Sequence, residues 1–171
     1  MKALVSLTVM SILATSILPQ SDVAAATLEA TPRDSNSVFG LWRTQAGGGV
    51  VELYPCNERV CGRLVWIDAP SEANSRTLID RNNHDLTKRR RPLCELAVLG
   101  NFKQKEDEWT HGWIYSPDSG STYEGTLRLR DAGHLTIQGV MRAPLTDARI
   151  KWTREWTRAE STLSGCYPMR Q

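Results

Sequence analysis

The stretch Thr122-Tyr123-Glu124-Gly125-Thr126-Leu127-Arg128-Leu129-Arg130 alternates, with Tyr123, Leu127 and Leu129 on one side and Glu124, Thr126, Arg128 and Arg130 on the other. A period of two puts successive side chains on opposite faces of a strand, so this segment is half buried and half wet. The next segment repeats the pattern, with Leu135, Ile137 and Met141 set against Thr136, Gln138 and Arg142, across the short connection Asp131-Ala132-Gly133. A connection that short joins neighbouring antiparallel strands. The same reading along the chain gives candidate strands at residues 39–44, 49–55, 61–67, 96–102, 108–115, 122–130, 134–142 and 149–157. Short strands punctuated by Gly, Pro, Asn, Asp and Ser predict an all-β sandwich or closed barrel. Sustained helical periodicity is missing after the N-terminus, although the longest loop, 71–88, has room for a helical turn.

The N-terminus reads differently. Met1-Lys2 precedes an apolar run, 3–18, interrupted only by Ser6, Thr8, Ser11, Thr15 and Ser16, and Ala24-Ala25-Ala26 follows shortly after. A charged start, a short apolar core and small residues at the end predict a signal peptide over 1–26, cleaved near Ala26. The run is shorter than the ~20 residues a bilayer crossing needs and lacks a basic stop-transfer flank, so the mature chain should have no transmembrane segment. The cleavage region holds no cysteine for lipid attachment. The expected location is the periplasm or the extracellular medium. Residues 27–37, polar and containing Pro32, read as a linker, 38–158 as one β-barrel domain and 159–171 as a C-terminal tail. Loss of Lys2 and Asp22 with the signal leaves the formal charge at +2. That is too little for the broad positive field of a nucleic-acid binder, so nucleic acid is not an expected partner.

All four cysteines, Cys56, Cys61, Cys94 and Cys166, lie in the exported part, where an oxidising compartment favours disulfides. Four cysteines allow three pairings. Cys56 and Cys61 bracket Asn57-Glu58-Arg59-Val60, a stretch suited to a hairpin, so their pairing would close a local ring. Cys94 with Cys166 would then tie the tail to the domain. Zinc is the competing use of cysteine, but there is no second close pair and His84, His111 and His134 are scattered, so neither metal nor other cofactor is expected.

Several phrases carry a resemblance. Gly40-Leu41-Trp42, Gly49-Val50-Val51-Glu52-Leu53-Tyr54-Pro55-Cys56 and Cys61-Gly62-Arg63-Leu64-Val65-Trp66 come first. Asp80-Arg81-Asn82-Asn83 running to Arg91-Pro92-Leu93-Cys94 follows, then Gly112-Trp113-Ile114-Tyr115-Ser116-Pro117-Asp118-Ser119-Gly120-Ser121-Thr122-Tyr123, then Leu135-Thr136-Ile137-Gln138-Gly139 and Trp152-Thr153-Arg154. In this order, from Phe39 to Arg154, the chain resembles a family of small exported bacterial proteins called Domain of Unknown Function 2147. The resemblance implies a single antiparallel eight-stranded lipocalin-like barrel of the calycin type, and no established activity. His84, Glu95 and Thr146 depart from the family pattern, all in or beside loops, and the tail from residue 155 runs beyond it. In calycin barrels a Gly-x-Trp on the first strand meets an arginine on the last, which implies that Gly40, Trp42 and Arg154 close one end. Such a cation–π contact is worth ~0.5–2 kcal/mol. By alternation Trp152, Arg154 and Trp156 share a face, and their functional reading is a ligand floor.

Small barrels are either filled by side chains or hold one ligand, and the sequence does not choose. If there is a pocket, Trp66, Trp109, Trp113, Tyr115 and Tyr123 are its candidate walls. Asp80, Asn82, Asn83 and Arg91 form a polar phrase between strands, and Asp118 sits in the turn 115–120. Loops carry binding residues, yet Asp and Asn also scaffold turns through nearby backbone amides. Lys88-Arg89-Arg90-Arg91 is a dense basic run suited to an anionic surface or an envelope protein. No nucleophile elbow, phosphate loop, dinucleotide fingerprint or His-Glu-x-x-His occurs, so no enzyme is expected. The leading expectation is an exported module that binds a small, partly apolar ligand. The alternatives are an envelope interaction protein with a filled barrel and, third, a hydrolase-like enzyme.

Overall fold

The computed structural model describes residues 37–45, 48–68, 78–143, 148–160 and Cys166. The expected signal segment, nearly all of the linker and most of the tail lie outside the described residues. Eight strands run in chain order: β1 Gly40–Arg43, β2 Gly49–Cys56, β3 Arg59–Ile67, β4 Ala97–Lys105, β5 Glu108–Ser116, β6 Ser121–Asp131, β7 His134–Arg142 and β8 Arg149–Arg158. Each pairs antiparallel with the next, and β8 returns to β1 through Trp42 opposite Arg158, closing the barrel. All eight expected strands are present, β4 running three residues further, to Lys105. The long loop holds one 3-10 turn, Leu86–Lys88, capped by the Asp85 carboxylate, which accepts from the Thr87 amide. Among the described residues no helix is long and apolar enough to cross a membrane.

Both expected disulfides form. Cys56–Cys61 staples the β2–β3 hairpin, where Asn57 and Glu58 adopt the positive φ values (48° and 60°) of a two-residue turn. Cys94–Cys166 joins positions 72 residues apart and brings the buried Cys166 against the β3 backbone at Leu64. Disulfides of this kind point to a non-cytoplasmic location.

The core sits inside one half of the barrel. Trp42, Leu53, Val60, Phe102, Leu127 and Leu135 are buried there. Phe102 reaches this depth because two neighbours lack side chains: a Cβ on Gly112 would lie 2.3 Å from its ring, and one on Gly125 2.8 Å from its Cζ. Gly112→Ala is therefore expected to destabilise the fold by ~1–3 kcal/mol through overpacking. Chemical denaturation would measure it, and an unchanged midpoint would show that Phe102 can move aside at no cost.

The closed end is built differently from the sequence expectation. The guanidinium over Trp42 belongs to Arg158, 4.0 Å from the ring centroid, and not to Arg154. Arg158 also donates to the carbonyls of Phe39, Ser37 and Ala132, at 2.7, 2.7 and 3.0 Å, while the Trp42 indole donates to Val38 O at 2.8 Å. Gly40, at φ +122°, lets the chain pass beneath: a Cβ there would meet Arg158 Nη1 at 3.0 Å. Arg154 and Arg158 share strand parity, so alternation could not separate them. Register does, because Arg154 lies opposite Ile137, away from β1.

Candidate functional site

Above Phe102 the barrel is not filled. A cavity of about 300 Å³ occupies that half and opens at the end carrying the β1–β2 and β5–β6 connections. One wall is aliphatic, from Val51, Leu64, Val98 and Ile114 on β2 to β5. The facing wall is aromatic, from Tyr123, Trp152 and Trp156 on β6 and β8. Tyr123 and Trp152 meet edge to face, with centroids 5.3 Å apart. Thr44, Ser116, Asp118 and Arg154 supply the polar groups of the rim.

The structure sorts the expected pocket aromatics. Tyr123 lines the cavity; Tyr115 touches only its mouth, because it shares the parity of Trp113 and turns its ring to Arg91 and its hydroxyl to Asp80. Trp109 packs against the core beside Leu127, its cross-strand partner, and is not among the cavity residues. Trp66 and Trp113 are corrections, and both have one cause. Val51 pairs with Leu64 but Val50 with Trp66, so β3 holds one extra residue. That bulge turns Trp66 to the outside, where it packs with Leu41, Val50 and Val65 and lies under Arg43. On β5, Trp109 pairs with Leu127 and Gly112 with Gly125, again one residue more than on the partner strand, and His111 takes φ +58°. Trp113 is thereby flipped outward and is 37% exposed. Missing from the expected walls were Trp152 and Trp156, whose shared face with Arg154 was the available signal.

The polar phrase forms a clasp at the rim. Asp80, with no solvent exposure, accepts from the Tyr115 hydroxyl (2.5 Å), Asn83 Nδ2 (2.7 Å) and Arg91 Nε (2.8 Å). Asn83 Nδ2 also donates to the Tyr115 oxygen at 2.9 Å, and the Arg91 guanidinium lies 5.3 Å from the Tyr115 ring centroid. Burial works to raise the Asp80 pKa, but the Tyr115, Asn83 and Arg91 donors outweigh it and hold the carboxyl below its ordinary value. Burial, reinforced by the bond to that carboxylate, pushes the Tyr115 phenol up. Asn82 joins the same surface through Nδ2, which donates to the carbonyl of Asp118 at 2.9 Å. Gly120, at φ +69°, makes the contact close: a Cβ there would lie 1.9 Å from Asn82 O. Asp80, Asn82, Asn83 and Arg91 thus fasten the loop to the β5–β6 hairpin.

The basic run is largely committed to this loop. Lys88 pairs with Asp85 at 2.9 Å, Arg89 donates to Asn83 O at 2.7 Å, and Arg91 holds Asp80. Thr87 and Lys88 keep the exposed Asp85 carboxyl at about 2. Among the described residues no group of three His, Cys, Asp or Glu side chains is placed to hold a metal ion, and all four cysteines are in disulfides.

Residues 40–154 match the family described as "Uncharacterized protein conserved in bacteria (DUF2147)". The chain belongs to the DUF2147 family. Among solved structures, this DUF2147 barrel is similar to protein HP1028 from Helicobacter pylori, which is described as belonging to the lipocalin family. The TM-score is 0.60 at 17% identity, over 74% of this chain and 85% of the other. At that identity the likeness establishes a shared lipocalin-like fold. A search of curated proteins found no relative. The DUF2147 match ends at Arg154, so Arg158, which closes the barrel, and Cys166 both lie beyond it.

Proposed function

We propose that this protein is an exported, non-enzymatic binding protein of the cell envelope, periplasmic or secreted, whose half-filled barrel takes one small, partly apolar ligand. The observation that carries this reading is the cavity of about 300 Å³, walled on one side by aliphatic and on the other by aromatic side chains. Its size is at the low end for small-molecule sites, and its few polar groups sit at the mouth, where they can orient a ligand. The two disulfides and the N-terminal sequence support export. The non-enzymatic part rests on the missing catalytic motifs and on the Asp80–Tyr115 pair, whose polar atoms are engaged in holding the loop. An envelope interaction through Lys88, Arg89, Arg90 and Arg91 has less support, because three of those four cations are held within the loop.

Native mass spectrometry of the protein purified from its own host tests the reading. The expected spectrum shows a chain beginning after Ala26, with both disulfides, carrying a stoichiometric small molecule that is lost on denaturation. An uncleaved chain would overturn export. A spectrum without adduct, together with no change in tryptophan fluorescence on titration with apolar probes, would overturn binding.

A further inference from the structure

Arg154 is the only basic side chain that lines the cavity among the described residues. It is on the inward face of β8, between Trp152 and Trp156 and opposite the fully buried Ile137. Barrel closure does not need it, since Arg158 performs that role. Its guanidinium lies 5.8 Å from the Trp152 ring centroid, and among the described residues no carboxylate or carbonyl accepts a hydrogen bond from it. A strand position that lines the cavity yet stays exposed to solvent thus carries a five-donor cation with no protein acceptor among the described residues.

We propose that Arg154 anchors the carboxylate of an amphiphilic ligand whose apolar chain lies against Val51, Leu64, Val98 and Ile114. The proposal rests on the binding reading and names the class of ligand. A guanidinium fork matches a carboxylate with two parallel hydrogen bonds, a geometry that fixes the head group while the apolar chain enters the cavity. The charge on the rim narrows the choice further. Asp118 lines the same mouth, on the exposed hairpin turn, and would repel a doubly charged phosphate more than a singly charged carboxylate. Phe102 fills the barrel below, so the chain must be short.

Three probes of equal length, decanoate, decanol and decylamine, test this by quenching of tryptophan fluorescence, since Trp152 and Trp156 form the wall. Decanoate is expected to bind the wild-type protein about tenfold more tightly than decanol, the modest increment of a charge-assisted pair open to solvent, and decylamine most weakly. In Arg154→Gln the decanoate advantage disappears while decanol affinity stays. Arg154→Lys retains part of it, through charge without the fork. Thermal melting of both variants checks that the barrel is intact. Equal binding of decanoate and decanol, unaffected by Arg154→Gln, would overturn the anchor and leave the binding reading standing. Tightest binding by decylamine would also overturn it, assigning the mouth to Asp118. Failure of all three probes to bind would overturn the anchor and the binding reading together.

Discussion

The double variant Cys94→Ser/Cys166→Ser is expected to lose about 4 kcal/mol of stability, the chain-entropy value for a cross-link spanning some 70 residues. The ring it closes contains all of β4 to β8, so opening it frees most of the barrel in the unfolded state. Cys166 is also buried, against the β3 backbone, and its loss removes packing there. The Cys56–Cys61 bridge makes the comparison informative. It spans 5 residues of a hairpin already held by its own ladder and turn. The same entropy model gives it about half the effect. Guanidinium unfolding of the two double variants should therefore rank the Cys94 pair well above the Cys56 pair in lost stability. Equal losses, or a larger one for Cys56, would show that native-state packing and not chain entropy dominates.

Asp80→Ala is expected to cost about 3 kcal/mol and to lower the melting temperature by about 10 °C. The carboxylate is fully buried and receives three donors, so removing it strands the Tyr115 hydroxyl and one Asn83 donor away from water. Arg91 suffers less, because its side chain is 36% exposed and can rehydrate, which keeps the estimate at the lower end for a broken buried pair. Asp85 provides the contrast. Its carboxyl is also held low, at about 2, but in open solvent, so Asp85→Ala should move the melting temperature far less.

The clasp also sets a pH window. Asp80 titrates below its unfolded value, so its contribution is complete above about pH 4 and is lost as the pH falls through the lower folded value. Tyr115 titrates above its unfolded value, so its contribution is complete below about pH 10 and is lost as the pH rises through the higher folded value. Wild-type stability should fall at both edges, and Asp80→Ala should flatten the acid edge. Amide exchange in the described part of the loop, 78–96, should speed up in the variant, since Asp80 N to Arg91 O is one of the bonds that closes it. An unchanged exchange rate would place the strength of the loop elsewhere.

Much of the architecture was legible in the residues. Alternation in 122–130 and 134–142 places both strands and their turn, and the same rule finds the other six, because strand pattern and turn chemistry are local properties. The pairing of Cys56 with Cys61 follows from a hairpin spacing and leaves Cys94 for Cys166. The polar phrase at 80–91 was visible as a unit, but its partner was not. Tyr115 stood on a separate list of pocket aromatics, and only folding brings its hydroxyl to Asp80 across 35 positions of chain.

By itself, then, the sequence determined eight antiparallel strand segments of a sandwich or barrel, which the family resemblance narrowed to a barrel, together with a hairpin disulfide and a polar loop. Tertiary structure decided which side chains face the interior. A single inserted residue in β3 and another in β5 reverse the parity of everything beyond them, sending Trp66 and Trp113 outward while the local pattern looks unbroken. Parity also leaves Arg154 and Arg158 equivalent until the register with β1 gives the Trp42 ring to Arg158 and leaves Arg154 facing the cavity. The barrel is hollow above and filled below because Phe102 lies in the space left by Gly112 and Gly125, residues from two other strands. Such contacts depend on register across the sheet, which no single strand encodes.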